Sequence, residues 1–260
     1  MRIAGWLFAL LLCWSSLPSA AQTSDSAPVI TVAAASDLAI VSKEISPAFE
    51  KQTGIKTKVS TGSSGNFFAQ IANGAPFDVF LSADVDYPRR LVSAGVADGN
   101  SLYVYGVGHL VLWMRDGSSD LKREGLQALL KPSVHKIAIA NPDHAPYGRA
   151  AVAALHHAGI YEQVKTKLVL GENISQAAQF VESGNADAGI VSLSLTKGMN
   201  PAGTFVDVPA GSYPPIEQAA VVVNSTKNRA AAEAFIKFLR SDDCKALLQR
   251  YGFGAPPEKP

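Results

Sequence analysis

Two short serine-rich turns are the stretches of this sequence best suited to bind an anion. Ser36-Asp37 follows the apolar run from Ile30 to Ala35, and Ser63-Ser64 lies in the turn after Val59. A helical pattern begins directly after each turn. The first turn of a helix has unpaired N–H groups and carries about half a positive charge. Serine is also a common N-cap residue, so each turn taken alone fits an ordinary capped helix. Together, on parallel strands, the two turns predict an oxyanion site.

The second half of the chain contains two further turns of the same kind. In the segment 141–148, Pro146 suits the first turn of a helix and leaves the N–H groups of Tyr147 and Gly148 free. In the segment 171–175, Asn173 is a good N-cap for a helix that begins at Ile174. Taken alone, these two turns are ordinary capped loops. If they face the serine turns, they form the second half of the oxyanion site.

The elements that must position these turns alternate between strand and helix, which favours an α/β fold with mostly parallel sheets. The pattern predicts strands at 55–60, 77–81, 136–140, 167–170, 188–191 and 219–223. It predicts helices at 37–52, 66–73, 84–94, 147–158, 174–182, 228–239 and 242–251. Residues 102–114 form one long extended segment, and the proline-rich stretch 208–215 is a crossing segment.

The strand–turn–helix units before and after residues 102–114 predict two lobes with a cleft between them. We expect a first lobe of residues 28–106 and 216–254, a second lobe of residues 107–215, and a disordered tail at 255–260. If the two lobes each supply part of a site, the chain should hinge near 102–107 and 208–218 when a ligand joins them.

The first 21 residues have the pattern of a secretory signal peptide. Arg2 precedes the apolar run Ile3 to Trp14, and small residues at Ser19 and Ala21 indicate cleavage before Gln22. The predicted location is the periplasm. Removing this segment leaves 22 basic and 22 acidic residues, so the mature chain is formally neutral and has no basic stripe for nucleic acid. Only Cys244 then remains, which excludes an intramolecular disulfide.

Several motifs, taken in chain order, resemble the periplasmic molybdate-binding proteins of molybdate ABC transporters. They are Ala33-Ala34-Ala35-Ser36, Ser63-Ser64, the segments 73–84 and 141–148, and the closing Arg250-Tyr251-Gly252-Phe253. The resemblance covers residues 29–253. It implies a two-lobed periplasmic-binding-protein fold, a monomer without a cofactor or a catalytic step, a bound molybdate or tungstate, and a membrane permease as partner.

In that family a dehydrated tetrahedral oxyanion is held by hydroxyl and backbone N–H groups. The resemblance implies that Ser36 and Ser64 donate from hydroxyl and main chain, and that Tyr147 and Ile174 donate main-chain N–H groups. Many relatives have a tyrosine where this chain has Ser192, whose shorter side chain we expect to reach the anion poorly, with Tyr147 covering the pocket instead. Asp37 and Ser63 are neighbours of the site, and Asp37 should point away from the anion and cap its own helix.

Donor chemistry leaves other tetrahedral anions as alternatives. Molybdate, tungstate and sulfate accept hydrogen bonds and donate none near neutral pH, whereas protonated phosphate needs an acceptor for its O–H group. The choice between molybdate and sulfate depends on cavity size.

Other classes of site fit the sequence less well. A secreted serine hydrolase with Ser64 as nucleophile and His144 as base is a distant alternative, because the turn lacks the Gly-x-Ser-x-Gly form. The five histidines have no repeated spacing for a metal cation, and Tyr103, Tyr105 and Tyr147 alone do not make a ferric-ion site.

Overall fold

The computed structural model describes residues 27–115, 121–199 and 202–256, which form two five-stranded sheets flanked by helices. The predicted signal peptide at 1–21 and residues 257–260 of the predicted tail lie outside these ranges. Within them, the helices are all too short or too polar to cross a membrane. The predicted α/β class and two-sheet architecture are confirmed.

The first sheet places both serine turns at one edge. Its strand order is β2-β1-β3-β10-β4, with β1 at Val29–Ala35, β2 at Lys56–Gly62, β3 at Val79–Ser82, β4 at Tyr103–Gly108 and β10 at Ile216–Val222. Ala35 pairs with Gly62 at the ends of the parallel strands β1 and β2. The residues that follow each strand, Ser36 and Ser63, therefore lie side by side. Only β10 runs against the other strands of this sheet, since it pairs antiparallel with β3 and β4.

The second sheet repeats this arrangement. Its order is β7-β6-β8-β5-β9, with β5 at Leu110–Met114, β6 at Ile137–Ala140, β7 at Leu168–Gly171, β8 at Ala188–Ser192 and β9 at Thr204–Asp207. Ala140 pairs with Gly171 where the parallel strands β6 and β7 end. The turns that lead into the next two helices, before Pro146 and before Ile174, thus also begin at one sheet edge.

Ten helices of the described residues connect and cover these strands. They are α1 at Ser42–Thr53, α2 at Ser64–Ala72, α3 at Asp86–Ser93, α4 at Leu121–Glu124, α5 at Pro146–His157, α6 at Tyr161–Val164, α7 at Ile174–Glu182, α8 at Leu193–Met199, α9 at Arg229–Leu239 and α10 at Asp242–Arg250. Short 3-10 turns lie at Ser36–Leu38, Gly99–Ser101, Gly125–Leu130, Lys165–Lys167 and Ala210–Ser212.

The prediction of one helix from Asp37 to Gln52 is wrong at its start. Ser36–Leu38 forms a 3-10 turn, and the α-helix begins only at Ser42. The reason is that the Asp37 side chain turns into the interior and makes tertiary contacts instead of capping a helix. Four short elements, α4, α6, α8 and β9, were not predicted, because segments of four to seven residues carry little periodicity.

The long extended segment predicted at 102–114 is two strands in different sheets. The chain leaves the first sheet at Gly108 and enters the second at Leu110, so His109 alone joins β4 to β5. The crossing between the sheets thus lies at residues 108–110, just beyond the segment 102–107 in which a hinge is predicted. The return crossing lies between β9 and β10, at 208–215. We call the elements on the first and second sheets the first and second lobes; the domain boundaries themselves stay a prediction.

Aromatic and aliphatic side chains fix each sheet to its helices. On one face of the first sheet, Phe49 packs edge-on against Phe235 with ring centroids 5.0 Å apart. On the other face, Phe67 and Leu91 pack around Phe80. Full burial of such a side chain contributes about 1.5–3 kcal/mol each. These cores hold the strand ends, and hence the turns, in fixed positions.

Candidate functional site

A small cavity lies between the lobes where the four turns meet. The cavity volume open to the centre of a water-sized sphere is about 10 Å³. The residues that line it are Ala35, Ser36, Asp37, Gly62, Ser63, Ser64 and Ala83 from the first lobe, and Ala145, Pro146, Tyr147, Asn173 and Ile174 from the second. In the described part of the chain this lining contains neither lysine nor arginine. The site has polar donors but no formal positive charge.

The turn before α2 divides its two serines between two roles. Ser63 is the N-cap, and its Oγ accepts a hydrogen bond from the Asn66 N–H group. Ser64 is the first helical residue, and its Oγ accepts a 2.9 Å hydrogen bond from the Ala83 N–H group. A hydroxyl group has one hydrogen to donate. Because Ser64 Oγ is used here as an acceptor, its own O–H remains available to a ligand.

Ser36 is arranged in a similar way across the lobe boundary. Its Oγ accepts from the Ser175 N–H group of α7 at 3.3 Å, and its carbonyl oxygen accepts from Ser175 Oγ at 2.8 Å. Ser36 is 3% exposed. Its hydroxyl is thus buried at the cavity, held in place by the other lobe, with its hydrogen still free to donate.

The second lobe presents the N-termini of α5 and α7. In α5, Pro146 occupies the first position and Tyr147 the second. In α7, Ile174 is the first residue, and the side chain of the N-cap Asn173 accepts from the Gln176 N–H group. The cap therefore accepts from the N–H group of Gln176, in the first turn of α7, and leaves that of Ile174 free.

Several backbone N–H groups at the cavity have no acceptor in the part of the chain that the structure describes, and three of them open helices. These three belong to Ser64, Tyr147 and Ile174, the residues at the starts of α2, α5 and α7. All three residues are buried, with exposures of 1%, 2% and 3%. A buried N–H group without a partner is costly, so native proteins rarely leave one unpaired. The arrangement fits a ligand that supplies acceptor oxygens.

Asp37 does not cap a helix, in contrast to the sequence prediction. Its carboxylate is buried, and Oδ2 accepts from the Tyr147 hydroxyl at 2.9 Å and from Gln218 Nε2 at 2.6 Å. Gln218 Oε1 in turn accepts from the Tyr105 hydroxyl at 2.7 Å. The Tyr147 ring lines the cavity as expected, but its hydroxyl is committed to this network. We call Asp37, Tyr105, Tyr147 and Gln218 the buried polar cluster.

Burial changes the acid–base properties of this cluster. It raises the pKa of the Asp37 carboxyl group to about 6, although the hydrogen bonds from Gln218 and Tyr147 act in the opposite direction. It also raises the pKa of the Tyr147 and Tyr105 hydroxyls well above their ordinary value, with the nearby Asp37 acting in the same sense. Both tyrosines are therefore neutral donors at any physiological pH.

Other hydrogen bonds close the lobes around the cavity. The Gly65 N–H group donates to the His144 carbonyl oxygen at 2.9 Å. At the rim, Arg149 of α5 pairs with Asp84 of the first lobe at 2.5 Å. Asn66 Nδ2 donates to Glu172 Oε1 at 3.2 Å. The cavity is thus formed by both lobes together.

Ser192 is not brought to the cavity. It ends β8 with 0% exposure, and its Oγ lies 3.2 Å from Ser194 Oγ, to which its hydroxyl group can donate. Ser194 Oγ also lies 2.9 Å from the Asp37 carbonyl oxygen, to which it donates. The serine at this position therefore belongs to the packing behind the site, whereas Ser36, Ser63, Ser64, Tyr147 and Ile174 all line the cavity.

The pair required by the hydrolase alternative is not formed. His144 Nδ1 lies 2.8 Å from the Oγ of Ser63, the helix cap, and not from that of Ser64. Ser64 Oγ is engaged by the Ala83 N–H group. A search of the described residues finds no group of three or more side chains that could hold a metal cation.

Sequence reasoning missed Gln218 and Gly108. Gln218 lies inside the otherwise apolar strand β10 and is 0% exposed, and a lone amide in a buried strand was the available signal. A Cβ atom at Gly108 would lie 2.1 Å from the Tyr147 hydroxyl oxygen and 2.7 Å from Gln218 Nε2. Only glycine leaves room for the cluster there.

Comparisons with known proteins agree with this geometry. Residues 30–254 match the family model of bacterial extracellular solute-binding proteins. The molybdate-binding protein ModA of Rhodobacter capsulatus is 37% identical over 250 residues, which cover 96% of this chain and 95% of that protein. The molybdate-binding protein ModA of Azotobacter vinelandii is 41% identical over 242 residues, 92% of this chain and 93% of that protein.

A solved structure is also similar over most of the chain. The periplasmic molybdate-binding protein of Azotobacter vinelandii superposes with a TM-score of 0.82 and 33% sequence identity, over 87% of this chain and 99% of that one.

Proposed function

The chain belongs to the family of bacterial extracellular solute-binding proteins, and we propose that it captures molybdate, and tungstate as well, for delivery to an ABC transporter. Similar proteins of Rhodobacter capsulatus and Azotobacter vinelandii are molybdate-binding proteins. The protein acts by binding and release, with no catalytic step and no cofactor. Its site residues are Ser36, Ser64, Tyr147 and Ile174.

The observation that carries this proposal is the set of free donors at the cavity. Two serine hydroxyls and the N–H groups of Ser64, Tyr147 and Ile174 surround a space that is closed by both lobes. A fully deprotonated tetrahedral dianion accepts hydrogen bonds at every oxygen and donates none. The donor set therefore matches molybdate, tungstate or sulfate.

The helix termini provide the charge that the side chains lack. Three helices, α2, α5 and α7, begin at the cavity. At about half a positive charge each they supply roughly +1.5, which offsets most of a dianion's charge. Hydrogen bonds to charged groups contribute about 1.5–3 kcal/mol each, enough for about five of them to give tight binding after association costs.

The location and the partner follow from the same assignment. Residues 1–21 serve as a signal peptide that directs the mature protein to the periplasm. There it works as a monomer, and the membrane permease of a molybdate ABC transporter is its partner. Residues 28–108 and 216–254 form one lobe and residues 110–215 the other, with closure about residues 108–110 and 208–215.

Calorimetric titration of the ligand-stripped mature protein tests the proposal. Molybdate and tungstate should each bind with one site per chain and with far higher affinity than sulfate or phosphate. Sulfate affinity comparable with that of molybdate would make the protein a general binder of tetrahedral oxyanions. No binding of any of the four anions would refute the oxyanion function.

A further inference from the structure

A buried carboxylate lies at a cavity whose other features favour an anion. Asp37 lines the cavity and is 1% exposed. Its side-chain partners, Tyr147 and Gln218, are neutral, and the backbone N–H groups of Asp37 and Leu38 also favour its charged form. Asp37 Oδ1 makes no hydrogen bond of normal geometry in the described part of the chain. A negative charge here opposes a dianion bound next to it, and no salt-bridge partner compensates it.

Among the described residues, the elements packed around Asp37 bring no cation close enough to affect its pKa. Tyr147 of α5 and Tyr105 of β4 face it and are neutral donors. Helices α7 and α8 present the hydroxyls of Ser175 and Ser194 to residues 36–37. The charged residues of the neighbouring elements lie away from Asp37. Among the basic residues, Lys56 and Lys58 pair with the far end of β1, Arg149 binds Asp84, and Lys197 lies beside Gly252. Among the acidic residues, Glu182 ends α7 and Glu217 pairs with Val107.

We propose that the anion binds together with one proton, which is carried by the carboxyl group of Asp37; this inference rests on the proposed function. The proton comes from solvent on binding and returns to it on release. Asp37 is then a specificity-determining residue, because its neutral form removes the repulsion that the charged form would exert on a dianion. In the neutral form the carboxyl group also gains one O–H donor.

The geometry predicts the direction of the pH dependence. In the closed conformation without an anion, burial raises the pKa of the carboxyl group to about 6, so it is largely ionised at pH 7.5 and largely protonated at pH 5. A neighbouring dianion raises that pKa further, since like charges disfavour ionisation. Proton uptake should therefore approach one per anion at pH 7.5 and fall towards zero at pH 5. Above pH 6 the affinity should fall about ten-fold per pH unit while the complex keeps its proton.

Calorimetry of molybdate binding in buffers with different ionisation enthalpies measures this proton count. The titrations use the ligand-stripped wild-type protein and Asp37→Asn at pH 5.5, 6.5, 7.5 and 8.5. Asparagine keeps the shape of the side chain and cannot ionise, and its carbonyl oxygen can still accept from Tyr147 and Gln218. We expect uptake of nearly one proton by the wild type at pH 7.5, none by Asp37→Asn, and an affinity of Asp37→Asn that does not change with pH.

Three results separate the outcomes. Tight molybdate binding by the wild type without proton uptake would overturn the inference and leave the proposed function intact. Equal proton uptake by wild type and Asp37→Asn would also overturn it, and would assign the proton to His144 or to the anion. Absence of molybdate binding by the wild type would instead refute the proposed function. The wild-type proton count does not depend on whether Asp37→Asn folds, and an infrared difference spectrum detects the carboxyl group directly.

Discussion

The hydroxyl group of Tyr147 in the second lobe donates a 2.9 Å hydrogen bond to Asp37 Oδ2 in the first. The same tyrosine offers its backbone N–H group to the cavity. Closing the lobes and completing the donor set are therefore one event, because the α5 N-terminus reaches the cavity only when its tyrosine ring reaches Asp37. This coupling makes the buried polar cluster part of the binding equilibrium.

Removing the Tyr147 hydroxyl should weaken binding without removing any direct donor. In Tyr147→Phe the ring and the backbone N–H group remain, but the bond between the lobes is lost. In the complex the Asp37 carboxyl group carries its proton, and a hydrogen bond between neutral groups contributes about 0.5–1.5 kcal/mol, so we expect a roughly two- to ten-fold loss of molybdate affinity. Calorimetry measures it. The matched control is Tyr103→Phe, whose ring lies under Arg240 on the first lobe and whose affinity should equal that of wild type.

The hydroxyl groups of Ser36 and Ser64 should contribute similar amounts to the free energy of molybdate binding. Ser36→Ala and Ser64→Ala each remove one donor, at an expected cost of about 1.5–3 kcal/mol of binding free energy. The fold should survive, since both side chains serve the chain itself only as acceptors. The control is Ser241→Ala, which removes the N-cap of α10 far from the cavity. It should lose about 1 kcal/mol of stability and no affinity. Wild-type affinity in either site variant would assign that hydroxyl a structural role only.

Local sequence signals were sufficient to predict which residues meet at the cavity. Ser36, Ser64, Tyr147 and Ile174 each follow a strand and open a helix or turn, and this order can be read from adjacent residues. Helix α7 begins and ends where its pattern predicts, at Ile174 and Glu182. Strand ends of parallel pairs meet at one sheet edge, so the convergence of the turns within each lobe follows from the topology.

The buried polar cluster could not be predicted in the same way. Asp37 and Gln218 are 181 residues apart, and no periodicity links them. Asp37 after a serine has the local features of a helix cap, and only tertiary contacts pull its side chain inward. Likewise, residues 102–114 are continuously extended, and the change of sheet at His109 depends on which strands lie next to β4 and β5.

Filling the space at Gly65 should keep the lobes apart. A Cβ atom there would lie 2.6 Å from the His144 carbonyl oxygen and 2.7 Å from the Tyr87 hydroxyl oxygen. Gly65→Ala should therefore lower molybdate affinity at least ten-fold, which corresponds to about 1.4 kcal/mol, although alanine favours the helix itself. Calorimetry and thermal melting of the ligand-free protein separate the two effects. Ser241→Ala, on α10 away from the cavity and from both crossings, is the control with unchanged affinity.

Ligand binding should close the protein in solution. Neither lobe alone can supply all the donors of the cavity, so the empty protein should favour an open cleft. Saturation with molybdate should reduce the radius of gyration in solution scattering and raise the melting temperature, because a ligand that binds only the folded state stabilises it. A scattering profile that does not change on saturation would contradict closure and leave the binding site itself in place.

The buried Asp37 carboxyl group should make the stability of the closed conformation, in which its pKa is raised, depend on pH. Its pKa is about 6 in the folded protein against 3.8 as its ordinary value. At a pH between 3.8 and about 6, the Asp37 carboxyl group keeps its proton in the folded state and has released it in the unfolded state. Stability contributed by this group is therefore complete below about pH 4 and is lost as the pH rises through 6. A shift of about 2 units corresponds to about 3 kcal/mol.

Asp37→Asn removes this titration, so its stability relative to wild type should improve by up to about 3 kcal/mol between pH 4 and pH 7. Urea unfolding of the two ligand-free proteins at both pH values measures the change. The difference between the proteins is the informative quantity, because every other carboxyl group titrates in both. Asp242→Asn is the control: its side chain is 100% exposed on α10, so its stability difference from wild type should be small at both pH values. A pH-independent difference for Asp37→Asn as well would mean that the Asp37 carboxyl group keeps an ordinary pKa in the folded protein.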